Sequence, residues 1–330
     1  MNPIAYLPIG FFGAAMGLSG LCIAWRLAAV LFGLPLFVAE AIGFLAVLAF
    51  LLIAAGYVAK LAFFPARVAA EWNHPVIGPL FSTIPISLLL LPIVLRPYAP
   101  GIAALVWILG AAGMACFTTY IVSRWLTRQP AIDHAAPTWF VPVIGALNIP
   151  AAGMFHDVPA VHQFYLLTVG VGFVFAFVLF ALVFARLVFR PAMPAPLTPS
   201  LAILMAPFGV GFIGYTQTIG NIDLFASMLL ACGLFMVIVL LPVLVRAAML
   251  PPFRLSWWAL TFPLASVVVS ALRYAVALPI AATFWVAAAM LALGTAGIGW
   301  VLFATLYRLA RGDLFDPEIE AAAQAEAAQR

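Results

Sequence analysis

Stretches apolar enough and long enough to cross a bilayer recur ten times along this chain, at about residues 5–31, 37–63, 79–95, 100–123, 139–155, 163–188, 200–219, 222–246, 256–276 and 280–307. Hydrophobic residues make up 67% of the sequence and charged residues 7%, with a mean hydropathy of +1.22. A soluble chain of 330 residues has no core large enough to bury that much apolar surface. The expected class is therefore an all-α integral membrane protein. The first residues, Met-Asn-Pro-Ile-Ala-Tyr, hold neither a basic segment nor a small-residue cleavage site, so no removed signal peptide is expected.

Charge placement sets the orientation. The connections after the even spans carry Lys60, Arg67, Arg124, Arg128, Arg186, Arg190, Arg246 and Arg254, and Arg308 and Arg311 follow the tenth span. The opposite connections hold Glu40, Asp157 and Asp223 and few basic residues. Positive charge stays cytoplasmic, which puts both termini inside and agrees with an even number of spans. The expected division is a channel domain over 1–311 and a polar cytoplasmic tail over 312–330, in a bacterial inner membrane.

A repeat runs through the odd spans. Each holds a proline in a similar setting, Leu7-Pro8, Ile84-Pro85, Val141-Pro142, Ala206-Pro207 and Phe262-Pro263. The even spans have none at mid-depth and are greasier. Five tandem helical hairpins follow, each with one proline-kinked inner helix and one straight outer helix. Proline is common in membrane helices, so one alone means little, but five in register do not fit chance. Glycines gather near the same positions, where they allow close helix packing or leave room for a lumen.

The odd spans contain no acidic residue, which argues against a cation path or a proton relay within the membrane. Arg26, Arg96 and Arg273 lie at their outer ends. For Arg26, snorkelling to headgroups is the favoured reading. Arg96 and Arg273 are candidates for an outer vestibule that draws anions, with snorkelling as the alternative. Ser82, Thr83, Thr216, Thr261 and Ser266 are the candidate pore-lining polar side chains.

Other motifs give little. Gly209-Val-Gly211-Phe-Ile-Gly214 fits a dinucleotide fingerprint by letter but lies in a membrane span without strand or acidic partner, so helix packing is expected. No Gly-Lys-Ser/Thr exists, which excludes a P-loop pump on this chain. His156, Asp157 and His162 share a loop without standard metal spacing, and Cys22, Cys116 and Cys232 read as small buried hydrophobes. No catalytic residue, cofactor, metal or nucleic-acid partner is expected.

The ordered set Leu7-Pro8-Ile-Gly-Phe-Phe-Gly, Glu71-Trp72-Asn73-His74-Pro75-Val76, Trp139-Phe-Val-Pro-Val-Ile, Trp258-Ala-Leu-Thr-Phe-Pro-Leu-Ala-Ser and Leu306-Tyr307-Arg308-Leu309 resembles the TehA-type tellurite-resistance and C4-dicarboxylate transporter family, whose bacterial members are similar to plant guard-cell slow anion channels. The resemblance implies a homotrimer with one central pore per protomer, lined by five inner helices. It also implies a phenylalanine plug at mid-membrane, here Phe262, with Leu7, Ile84, Val141 and Ala206 at the same level. The expected function is passive passage of small monovalent anions such as chloride and nitrate. The alternative is a proton-coupled carrier of C4-dicarboxylates or oxyanions, as the family's other names imply.

Overall fold

The computed structural model describes residues 3–250 and 252–314, so the polar tail expected over 312–330 lies almost wholly outside the described residues. Backbone groups in lipid have no water to bond, and an apolar chain meets that demand by coiling into helices. The described residues are helical with no strand.

The order is α1 (Gly13–Phe32), α2 (Leu36–Phe63), a short α3 (Pro65–Asn73), α4 (Thr83–Leu95), α5 (Pro100–Arg128), α6 (Phe140–Leu147), α7 (Pro159–Phe189), α8 (Ala206–Ile219), α9 (Leu224–Ala248), α10 (Trp258–Ala277) and α11 (Ala281–Arg311). Punctuation is local: Gly33, Gly220 and Gly312 end their helices at positive φ, where a side chain would be strained. Asp223 caps α9 by accepting from the Ala226 N–H at 2.9 Å and the Tyr215 hydroxyl at 2.6 Å. These bonds hold the Asp223 carboxyl below its ordinary range, the backbone N–H foremost.

Among the described residues, nine helical segments are long and apolar enough to cross a membrane. The segment expected to be the fifth span falls short. A 3-10 turn, Pro137–Trp139, leads into α6, which stops at Leu147, and one further turn, Pro150–Ala152, ends on Gly153 at φ 59°. Side chains from the neighbouring long helices take up carbonyls along this broken segment. Thr118 donates to the Pro142 carbonyl at 2.7 Å, Trp107 Nε1 to the Ile149 carbonyl at 2.9 Å, and the Tyr165 hydroxyl to the Met154 carbonyl. Such capping is what permits a broken helix at membrane depth.

The odd segments are inner and the even ones outer. Buried residues fill 56–89% of the spanning windows that contain α1, α4, α8 and α10, against 22–39% for α2, α5, α7, α9 and α11. The inner segments contact one another in a closed circuit, α1 to α4 to α6 to α8 to α10 and back to α1. Each also packs on the outer helix that follows it. The outer helices expose large apolar residues, Leu51, Leu105, Val178, Ile238 and Phe303 among them, a surface suited to lipid. Cys22 is buried as expected, but Cys116 and Cys232 are exposed on the outer α5 and α9.

From the sequence, each proline is expected to kink its span; four of the five stand before an inner α-helix or within its first three residues, and Pro263 lies inside α10. A 3-10 segment leads into each inner α-helix, and the prolines sit at or near that change. Pro8 precedes the turn Ile9–Phe12, Pro85 and Pro142 are the third residues of α4 and α6, and Pro207 is the second of α8. A first turn has no intrahelical use for those N–H groups, so the rings sit there at little cost. Pro263 alone of the five lies beyond the first turn, as the sixth residue of α10.

Close packing accounts for glycines inside the inner helices. A methyl group on Gly17 would strike Thr261, on Gly209 it would strike Ser266, and on Gly214 the Leu147 carbonyl. The fingerprint-like run in α8 is thus a packing surface. The Gly214 contact is with backbone that cannot rotate away. Gly214→Ala is expected to lose about 1–3 kcal/mol through α6–α8 separation, measured as a lower unfolding temperature in detergent; an unchanged temperature would show the interface to be slack.

Candidate pore and its mouths

Residues from all five inner segments line one cavity of about 190 Å³. The five segments run parallel, so their N-terminal ends, with the positive ends of their dipoles, all meet at this cavity. Its last lining residues along each segment are Met16, Ile86, Asn148, Ala206 and Pro263, preceded by Phe262. Beyond that level the segments close on one another, with Gly20 against Ala265 and Gly209 against Ser266. No residue of α10 beyond Pro263 lines the cavity, and its other end is lined by Glu71, His74 and Arg254 beside the basic connections. We call that end the basic mouth.

Phe262 is 7% exposed, and its ring passes α1 where Gly20 leaves room, the nearest ring carbon lying 3.8 Å from where a Gly20 methyl would be. Of the neighbours expected at its level, Val141 and Ala206 line the cavity with it. Leu7 and Ile84 do not. The buried Leu7 packs toward α2 near Gly56, and its carbonyl accepts from Lys60. Met16 and Ile86 reach the cavity from those two segments instead.

The candidate polar residues separate in the same way. Only Thr83 among them lines the cavity. Ser82 donates to Pro79 O at 2.6 Å, Thr216 to Phe212 O at 2.8 Å, Thr261 to Trp258 O at 2.9 Å and Ser266 to Pro263 O at 2.7 Å. Thr83 itself donates to Leu80 O at 2.6 Å. Each hydroxyl has its shortest acceptor on its own segment, with the Gly13 carbonyl 3.3 Å from Thr261 and the Ile9 carbonyl 3.4 Å from Thr83 as second acceptors, so these donors are already engaged.

At the far end, Arg26 departs from the snorkelling expectation. Its guanidinium holds Glu40 in a fork at 2.9 and 2.8 Å and also donates to the carbonyls of Ile93 at 2.6 Å and Val94 at 3.1 Å. It ties α1, α2 and α4 together. Arg96 is exposed at the end of α4. Arg273 is half-buried on α10 and forms no hydrogen bond or ion pair among the described residues. His156 and His162 stack edge to face at 5.5 Å, and no metal-binding group of residues is found among the described ones.

The basic mouth holds groups that sequence reasoning passed over. Glu71, His74, Thr138, Arg254 and Ser256 all line the cavity there. Lys60, buried to 1% exposure, bonds Glu71 at 2.7 Å and the Leu7 carbonyl at 2.7 Å, while the Tyr57 hydroxyl takes the other Glu71 oxygen at 2.6 Å. The only sign in the sequence was that Glu71 and His74 fall inside one of the segments that carry the family resemblance.

His74 Nδ1 accepts from the Val76 and Ile77 N–H groups at 3.1 and 3.2 Å, which requires an unprotonated nitrogen. Burial pushes its pKa below the ordinary 6.5, and nearby His134 acts in the same direction. The folded state therefore favours the neutral ring. That contribution is intact above pH 6.5 and is lost as pH falls through the lowered folded value. Acidification is expected to lower the unfolding temperature, and His74→Asn, which keeps an acceptor, should flatten this pH dependence; identical pH profiles would refute the role.

The sequence model of the voltage-dependent anion channel family SLAC1 matches residues 6–306. A tellurite resistance protein TehA homolog of Haemophilus influenzae is 27% identical over 315 residues, 94% of this chain and 93% of that one. An uncharacterized transporter of Methanocaldococcus jannaschii is 28% identical over 224 residues, 61% of this chain and 65% of its own. The S-type anion channel SLAH3 of Arabidopsis thaliana is 26% identical over 276 residues, 81% of this chain and 43% of the plant protein. The match thus spans less than two thirds of these archaeal and plant relatives.

Proposed function

The chain belongs to the voltage-dependent anion channel family, and from that premise we propose that it passes small monovalent anions, chloride and nitrate among them, passively through the five-segment cavity and is occluded at Phe262. The observation that carries the reading is the cavity itself. Five helix N-termini surround it, its floor is apolar but for the neutral Asn148, and the carboxylate on its wall, Glu71, is already held by Lys60. Such a lumen disfavours cations and offers anions only weak coordination, which suits rapid passage. Arg273, without a partner on α10, would attract anions at the far end.

By the positive-inside rule the basic mouth faces the cytoplasm of a bacterial inner membrane. The resemblance further implies a homotrimer with a pore in each protomer, the exposed apolar faces meeting lipid or neighbouring copies. A proton-coupled dicarboxylate carrier is less well supported, since the two titratable acceptors on the cavity wall are already held, Glu71 by Lys60 and Tyr57 and His74 by the Val76 and Ile77 N–H groups.

Planar-bilayer currents in chloride, nitrate and malate gradients test the reading. A channel gives currents that reverse at the anion equilibrium potential and do not saturate with a pH gradient. Saturable, pH-driven exchange with no such current would overturn it.

A further inference from the structure

The basic mouth carries three ionisable groups on its wall, and they differ in one respect. Glu71 is taken by Lys60 and Tyr57. His74 uses Nδ1 on its own turn. Arg254 forms no hydrogen bond or ion pair among the described residues, and its Nε is buried without an acceptor. Two residues on, the Ser256 hydroxyl is likewise buried and unpartnered. Both side chains line the cavity.

Leaving two buried donors unpaired is unfavourable unless something else satisfies them. The turn that bears them is held firmly. Arg308 donates to the Phe253 carbonyl at 2.7 Å, and the Trp257 N–H to the Arg254 carbonyl at 3.1 Å. Trp257 packs edge-on against Trp300 at 5.0 Å, and Trp258 Nε1 bonds Thr305 at 3.0 Å. Arg308 is itself neutralised by Asp313 at 2.9 Å, so Arg254 is the cation of this corner left without a counter-charge.

We propose that Arg254 Nε–H and Ser256 Oγ–H form a binding site for a small inorganic anion, a halide or nitrate, at the basic mouth of the cavity. A charged donor and a neutral one, two residues apart on a held turn and lining the same cavity, suit a compact monoanion. The site faces inward among the five segments, which sets it apart from the lipid-facing helices where a phosphate headgroup would lie. It rests on the anion-channel reading for its purpose, because it loads the pore from that side ahead of Phe262. It does not rest on that reading for its existence.

The test uses the intact protein in a neutral detergent free of anionic lipid. Chloride NMR line broadening should show a saturable bound fraction, and bromide-soaked crystals an anomalous peak between Arg254 and Ser256. Arg254→Gln should weaken the binding by about tenfold, with Ser256→Ala weakening it less and Arg254→Lys falling between the parent and Arg254→Gln. In the Phe262→Ala background, Arg254→Gln should also lower current carried by anions arriving from the basic mouth at low chloride. Saturable broadening that is the same in the parent and Arg254→Gln, or a bromide peak only elsewhere, overturns the site. If Phe262→Ala does not conduct while broadening still depends on Arg254, the channel reading fails and the site stands. Arg254-dependent binding of added anionic lipid at micromolar levels, with no saturable halide binding at the site in its absence, would instead identify a headgroup site and overturn the proposal.

Discussion

Replacing Phe262 with alanine is expected to turn a closed protein into one that leaks anions. The ring is 7% exposed and stands where the cavity ends, beside Pro263 and across from Gly20. On the proposed reading, the barrier is the cost of dehydrating an anion against a phenyl face at that constriction. With only a methyl group left, the vestibule would run on toward Ser266 and the far end. A rise in flux of at least about tenfold corresponds to lowering the barrier by ~1.4 kcal/mol, a modest demand for removing a whole ring. Loss of buried surface will also reduce stability, by about 3–5 kcal/mol for a change of this size. The unfolding temperature must therefore be shown to exceed the assay temperature, and Phe262→Leu should give an intermediate leak. Chloride flux from proteoliposomes is the measurement. Flux equal to the parent in a folded variant removes Phe262 from gating.

Lys60→Met should cost more stability than any surface change. The ammonium has 2% side-chain exposure and joins three elements, α2 on which it lies, Glu71 of α3, and the Leu7 carbonyl at the start of the first inner segment. Methionine fills a similar volume but leaves the Glu71 carboxylate with only Tyr57 and the Leu7 carbonyl without its donor. Breaking one side of a buried pair typically loses about 3–5 kcal/mol, because the remaining charge stays desolvated. Lys60→Met/Glu71→Gln should recover much of this, since glutamine can still accept from Tyr57. Thermal unfolding in detergent reads both variants. A loss within the ~0.5 kcal/mol of ordinary surface substitutions would mean that the pair is solvated.

How far the sequence could be read depended on the range of the interaction concerned. Long apolar runs reported spans, because lipid allows an apolar chain little besides a helix. The greasier even spans reported the outer layer, because a helix facing lipid on one side needs no small or polar residues there. The glycines of α8 were legible as packing. By contrast, the prolines looked like mid-helix kinks, since sequence does not show where a 3-10 segment gives way to an α-helix. Serine and threonine looked like pore lining, since whether a hydroxyl turns back to a carbonyl depends on local backbone geometry. Arg26 looked like a headgroup anchor, since Glu40 meets it only after the chain reverses at Gly33 and Pro35.

The sequence alone determined that this chain is helical, membrane-bound and free of acidic residues in its inner segments, each a property of composition and spacing within one stretch. Tertiary structure alone decided which side chains face the cavity and which cations keep a free charge. Those facts depend on where five separate segments meet. Glu71, Thr138 and Arg254 are far apart along the chain and share one mouth only because the inner segments close into a circuit.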